Sequence, residues 1–192
     1  MLNKIKRLGV AFILINVLML QSLAADMLFY YTTAILSALQ STIEKKSVLS
    51  SNDVANGEYM ALKYGAEEAY SGDNRGQNIS PHLSWNFNAS AQSYAIEMID
   101  VDYYNFIHWA IINIPKNVTE LPQSVSDTYE GMQTLVSDYR PGYTGPFPPS
   151  PSTHRYKITV YALDTAHVSS MIEAKAHAIE SVSITPKFSW DQ

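Results

Sequence analysis

The ten residues His154-Arg155-Tyr156-Lys157-Ile158-Thr159-Val160-Tyr161-Ala162-Leu163 decide how this chain folds. Successive side chains of a strand point to opposite faces, so parity sorts them. The even positions are His154, Tyr156, Ile158, Val160 and Ala162, and the odd ones include Arg155, Lys157, Thr159 and Tyr161. The even face is the apolar one, as in a strand that lies in a sheet with that face buried. Residues 93–99, 108–114 and 156–163 all have ordinary strand length and together are rich in Ile, Tyr and Val. From Ser47 onward, short apolar runs alternate with Asn, Asp, Gly and Pro, the texture of many strands joined by turns. A mainly β domain over residues 47–192 is expected.

Upstream the texture changes. Lys4, Lys6 and Arg7 form a basic start, followed over residues 8–20 by an apolar run interrupted only by Gly9 and Asn16. A bilayer-spanning helix needs about 20 apolar residues, so this shorter run suits a cleaved secretory signal over residues 1–25, with Ser22, Ala24 and Ala25 at the cut. Residues 26–46 read as a helical lead-in or linker, since Leu28, Ile35, Leu36, Leu39 and Ile43 fall near helical spacing. A periplasmic or secreted protein is expected. The alternative is an uncleaved anchor, in which residues 27–39 extend the first apolar run and residues 1–46 tether the domain to a membrane.

Composition excludes several functions. Residues 1–25 carry three basic and no acidic residues, so their removal takes the net charge from −5 to −8. Nucleic-acid binding needs clustered Lys and Arg, and no such cluster stands outside the signal. The chain has no cysteine, which removes thiol catalysis, disulfides and thiolate metal sites together. It also lacks a Gly-x-Ser-x-Gly elbow, a His-Glu-x-x-His pair and a phosphate-binding Gly-rich loop. Neither a cofactor nor enzymatic activity is expected.

Parity also brings polar groups together. His154 and Tyr156 stand at one end of an inward, otherwise apolar face. In residues 108–114 the same parity puts His108 on a face with Ala110, Ile112 and Ile114, and Asp100 closes the series Tyr94, Ile96, Met98. Titratable groups at inward-facing strand ends form a pocket constellation. Taken singly, each residue has a plainer reading. An Asp at a strand end is usually a turn residue bonded to its own backbone two residues on, and a lone His or Tyr on such a face is usually packed in the core.

Gly145-Pro146-Phe147-Pro148-Pro149 cannot form helix or inner strand, because proline lacks an amide donor and restricts its predecessor. It reads as a fixed wall beside His154, or alone as a rigid surface loop or polyproline ligand. Residues 71–81 form another turn-rich loop. Near the end, Met171, Ile172, Ala176 and Ile179 predict a helix over 169–180, followed by a strand over 181–185.

Four ordered segments resemble the phosphatidylethanolamine-binding protein family, in its bacterial Raf-kinase-inhibitor-like branch. They are Asn78-Ile79-Ser80-Pro81-His82-Leu83-Ser84-Trp85; Asp100-Val101-Asp102 with His108-Trp109; Asn113-Ile114-Pro115; and Gly145-Pro146-Phe147-Pro148-Pro149 with His154-Arg155-Tyr156 and Tyr161-Ala162-Leu163-Asp164. The resemblance implies an antiparallel β-sandwich with a few peripheral helices, one near the C-terminus, and a small anion-accepting cavity. It implies Asp100, His108, Pro146, His154 and Tyr156 as ligand-binding residues, supported by Asp102, Trp109 and Arg155. The sequence departs from the family at Val101, where proline is usual, and at Tyr103-Tyr104, and the stretches from Asp102 to His108 and from Asp164 to Ser181 are short. His177 matches a family histidine and reads as structural.

The leading expectation is therefore a binding protein for a small anionic ligand or phospholipid head group. His108, His154 and Tyr156 donate hydrogen bonds while Asp100 orients an imidazole. Ordinary imidazoles near pH 6.5 would make such a site hold anions better below about pH 6. The competing expectations are a metal-dependent hydrolase using two His and one Asp, and a protease- or kinase-inhibiting interaction module acting through residues 139–151. A protein partner and a homodimer remain open.

Overall fold

The computed structural model of the chain describes residues 2–43, 47–67, 76–87, 91–125, 133–135, 137–138 and 140–192. Tyr139 and the first half of the 71–81 loop lie outside these residues. The chain divides into two compact units, Met1–Lys46 and Ser47–Gln192.

The first unit is one helix, α1 (Leu2–Ile43). No Gly or Pro interrupts residues 10–43, so nothing in the sequence stops the helix at Ala25. Its stretch Leu18–Leu39 is, by length and composition, apolar enough to cross a membrane, and this stretch straddles the expected cut.

Besides a 3-10 turn at Leu62–Tyr64, the second unit is built from nine strands and one short α-helix among the described residues. In chain order these are β1 (Val48–Ser50), β2 (Leu83–Asn86), β3 (Ser93–Asp100), β4 (Phe106–Pro115), β5 (Glu120–Leu121), β6 (Gln133–Thr134), β7 (His154–Leu163), α2 (Met171–Ala176), β8 (Ala178–Ile184) and β9 (Lys187–Phe188). A small sheet has the order β1-β2-β5, and a larger one has the order β6-β4-β3-β7-β8 with β9 also on β7. Neighbouring strands in both sheets run antiparallel. The sandwich expected from the sequence is present.

The main core joins the two sheets. Leu49, Leu83, Trp85 and Leu121 of the small sheet share one apolar cluster with Tyr94, Ile96, Met98, Ile158, Val160 and Ala162 of the large one. Each fully buried aliphatic side chain contributes about 1.5–3 kcal/mol, so this layer dominates stability. The other face of the large sheet buries Ala95, Ala110, Ile112 and Leu163 under Val168, Met171 and Ala174.

Parity holds for β3 and β7 but fails in β4. Met98 pairs with Trp109 and Ile99 with Ile107, which leaves His108 as an extra residue in β4. A second irregularity lies between Tyr94/Ile114 and Ile96/Ile111, beside Asn113, whose φ is +60°. A bulge inserts one residue and reverses the alternation beyond it. Ala110 and Ile112, expected on the His108 face, therefore pack on the opposite face, and Trp109 and Ile111 join the main core instead.

The C-terminal helix is also shorter than its apolar spacing predicts. The Ser170 hydroxyl accepts from the Glu173 amide at 3.2 Å, and the Glu173 carboxylate accepts from the Ser169 amide at 2.7 Å, a variant of the capping box. The helix runs only six residues, and after His177 the chain pairs Ala178 with Leu163. Ile179 alternates outward on β8 instead of lying on a buried helical face, and Ile172 is 83% exposed. His177 bonds Asp164 at 2.8 Å and ends the helix, consistent with a structural role.

Candidate functional site

The site forms where β3 ends and β4 and β7 begin. Register places Asp100 directly between Phe106 on β4 and Tyr156 on β7. The Asp100 carboxylate is buried and uses both oxygens: Oδ1 accepts from the Asp102 amide at 2.9 Å, and Oδ2 bonds His154 Nδ1 at 2.6 Å. The turn role and the pocket role of this residue thus coexist. A carboxylate oxygen is an acceptor, so His154 Nδ1 carries the proton and Nε2 is left for other chemistry.

The turn that follows is tightly fixed. Val101 donates its amide to the Arg155 carbonyl at 3.0 Å, a bond that proline could not make. Asp102 accepts from the Arg155 amide at 2.8 Å and from its guanidinium at 2.7 and 3.0 Å, and this hydrogen bond holds the Asp102 carboxyl below its usual range. Tyr104 and Asn105 sit at φ +51° and +56°, and the chain re-enters β4 at Phe106.

His108 is buried in a box of rings. Its imidazole lies 4.9 Å from Phe106, 5.1 Å from Tyr156 and 5.3 Å from Phe147, centroid to centroid. Nδ1 donates to the Thr144 carbonyl at 2.9 Å, since a carbonyl can only accept. Burial pushes the imidazole pKa below its ordinary value. With Nδ1 engaged and protonation disfavoured by burial, His108 presents a lone pair at Nε2.

Tyr156 is wholly buried, and burial and the Asp100 charge both push its pKa up, so the phenol stays protonated. Its hydroxyl makes no hydrogen bond of full geometry among the described protein atoms, but it faces the Asp100 carboxylate closely enough for that group to bear on its pKa. A buried hydroxyl without a well-made bond costs about 1–3 kcal/mol.

The wall is pinned from behind. Gly145 donates its amide to Asn78 Oδ1 at 2.8 Å, Asn78 Nδ2 donates to the Tyr143 carbonyl at 2.9 Å, and Ala66 donates to the Pro146 carbonyl at 3.0 Å. A Cβ at position 145 would lie 2.4 Å from the Tyr64 carbonyl oxygen, so this close crossing of two backbones requires glycine. The first and last of the four sequence segments are thus tied together physically.

The cavity, open to solvent on one side, measures about 230 Å³ and is lined by Asp100, Tyr103, Phe106, His108, Phe147, Pro148, Pro149, His154 and Tyr156. Four expected ligand residues, Asp100, His108, His154 and Tyr156, converge on it. Pro146 does not: it is buried one step behind the wall, which Phe147, Pro148 and Pro149 form instead. Trp109 faces the core against Tyr143, 5.5 Å between rings, and supports the site through packing. Asp102 and Arg155 brace the rim. Phe106 was legible by extending the parity of His108 two residues back. Among the described residues, no group of three His, Cys, Asp or Glu is placed to hold a metal ion.

A sequence profile described as phosphatidylethanolamine-binding protein matches residues 50–189. The chain belongs to the phosphatidylethanolamine-binding protein family. Within it, the chain is 32% identical over 160 residues to the UPF0098 protein YbhB of Escherichia coli, covering 73% of this chain and 99% of that protein. The crystal structure of Escherichia coli YbcL, titled a new member of the mammalian PEBP family, matches with a TM-score of 0.69 at 24% identity, over 74% of this chain and 98% of YbcL. LppC of Mycobacterium tuberculosis, whose name calls it a lipoprotein, is 30% identical over 95 residues, 48% of this chain and 47% of LppC.

Proposed function

We propose that this phosphatidylethanolamine-binding-family protein is an exported, non-enzymatic binding protein that holds one small anionic group, phosphate-like or carboxylate, in the Asp100–His108–His154–Tyr156 pocket. The observation that supports the reading is the buried Tyr156 hydroxyl, which makes no well-formed bond to the protein and stands on the wall of a cavity that also contains the oriented His154 ring. Tyr156 donates to the anion. His154 adds a charge-assisted bond from Nε2 when it holds its second proton, with Asp100 fixing the ring through Nδ1. His108 Nε2 accepts from a ligand that keeps an acidic proton, such as a monoprotonated phosphate. A phospholipid head group is one source of such a phosphate.

Export is supported by the apolar stretch Leu18–Leu39 and by likeness to a protein named as a lipoprotein. Calorimetric titration of the protein with phosphorylethanolamine and acetate tests the site. Wild type is expected to bind them, and His154→Ala is expected to bind at least about tenfold more weakly. Identical heats from wild type and His154→Ala would overturn the assignment.

A further inference from the structure

We propose that the mouth of this pocket is a second subsite, shaped for a flat unsaturated ring, so that the preferred ligand is an anionic group joined to an aromatic ring. The inference rests on the anion site proposed above and names the rest of the molecule that enters it.

Size gives the first argument. A cavity of about 230 Å³ corresponds to roughly seven waters at ~30 Å³ each. Acetate and phosphate are smaller than that, so a bare anion on Tyr156 and His154 leaves much of the space unfilled. The unfilled part is not lined for polar groups. Beyond Asp100, His108, His154 and Tyr156, its walls are Tyr103, Phe106, Phe147, Pro148 and Pro149, with no Lys, Arg, Ser, Thr or amide side chain among the lining residues. A sugar or a second charge would be buried there without partners, which is costly.

Ring geometry gives the second. Phe106 and Phe147 stand 5.6 Å apart at 89°, and Tyr103 lies 6.2 Å from Phe106 at 50°. Two rings at a right angle make a corner in which a third can stack on one face and meet the other edge-on, the two arrangements that aromatic pairs favour.

The subsite is preformed. Tyr103 belongs to the turn held by the Asp102–Arg155 pair, and its carbonyl accepts from the Phe106 amide at 2.9 Å. Little ordering is then needed when a ring enters, which favours affinity.

Titrating the full chain with acetate, benzoate, cyclohexanecarboxylate, phosphate, phenyl phosphate and phosphorylethanolamine tests the proposal. Benzoate is expected to bind at least about tenfold tighter than acetate, and phenyl phosphate than phosphate. Cyclohexanecarboxylate and phosphorylethanolamine should fall behind their aromatic counterparts. Tyr103→Ala, at a half-exposed position, and Phe106→Leu should both bring the benzoate-to-acetate ratio toward one. Equal affinities for benzoate and acetate, or a ratio untouched by both variants, would overturn the ring subsite while leaving the anion site standing. Phosphorylethanolamine matching phenyl phosphate would replace the ring with an alkylammonium. Silence from every anion would remove both readings.

Discussion

Asp100 shows how one carboxylate serves both fold and site: Oδ1 closes the turn on Asp102 and Oδ2 orients His154. The strand parity of the sequence located Asp100, His154 and Tyr156, because β3 and β7 pair in unbroken register from Ser93/Leu163 to Asp100/Tyr156. It could not reveal that the Thr144 carbonyl occupies His108 Nδ1, a contact set by a loop 36 residues away. That contact has a pH consequence. Burial lowers the folded pKa of His108, while the unfolded chain takes up the proton near pH 6.5. The stability this residue contributes is therefore complete above about pH 6.5 and is lost as pH falls toward the lower folded value, at up to about 1.4 kcal/mol per pH unit. Urea unfolding at stepped pH should show stability falling below about pH 6.5, and His108→Gln should flatten that fall. An equal slope in the variant would assign the effect elsewhere. Asp102 acts in the same direction at lower pH, below about 4, as its bond with Arg155 is lost.

At the scale of elements, strand centres were legible and strand irregularities were not. A bulge is decided by what lies opposite, so the sequence of β4 alone gave no reason to break its alternation at His108. Asn113 offered a faint signal, since Asn tolerates a left-handed φ better than most residues. Its side chain uses that position to clamp Val168, donating to the carbonyl at 3.1 Å and accepting from the amide at 2.9 Å. The C-terminal helix is present but ends at Ala176 instead of Glu180, because Ile179 satisfies a helical period and a strand period equally and pairs as strand. The proline-rich wall was read correctly as rigid, but its anchor, Asn78, lies in a different segment. Gly145→Ala should push two backbones apart and cost about 3 kcal/mol, read as a lower urea midpoint, with anion binding weakened in the same variant. Unchanged stability would show that the crossing is looser than 2.4 Å implies.

Across the whole molecule, the pocket lies at one end of the large sheet and the start of the domain at the other. Ser47 bonds Glu180, which pairs with Ala162, whereas the pocket begins at Tyr156, six residues and about 20 Å further along β7. Texture alone separated this domain from α1, but the continuity of α1 through Ala25 was not legible, because a signal and an anchor share the same apolar residues. Export by a cleaved signal predicts a mature chain beginning after Ala25. Mass spectrometry of the exported protein should find residues 1–25 missing, and an intact Met1 in the membrane fraction would replace cleavage with anchoring.

The proposed anion site depends on a Tyr156 hydroxyl that makes no well-formed bond to the protein and can turn from Asp100 to a ligand. Calorimetric titration of Tyr156→Phe with phosphorylethanolamine, beside a thermal melt of the same variant, addresses it directly. Affinity about tenfold weaker with little change in melting temperature is expected. Wild-type affinity in Tyr156→Phe would contradict it.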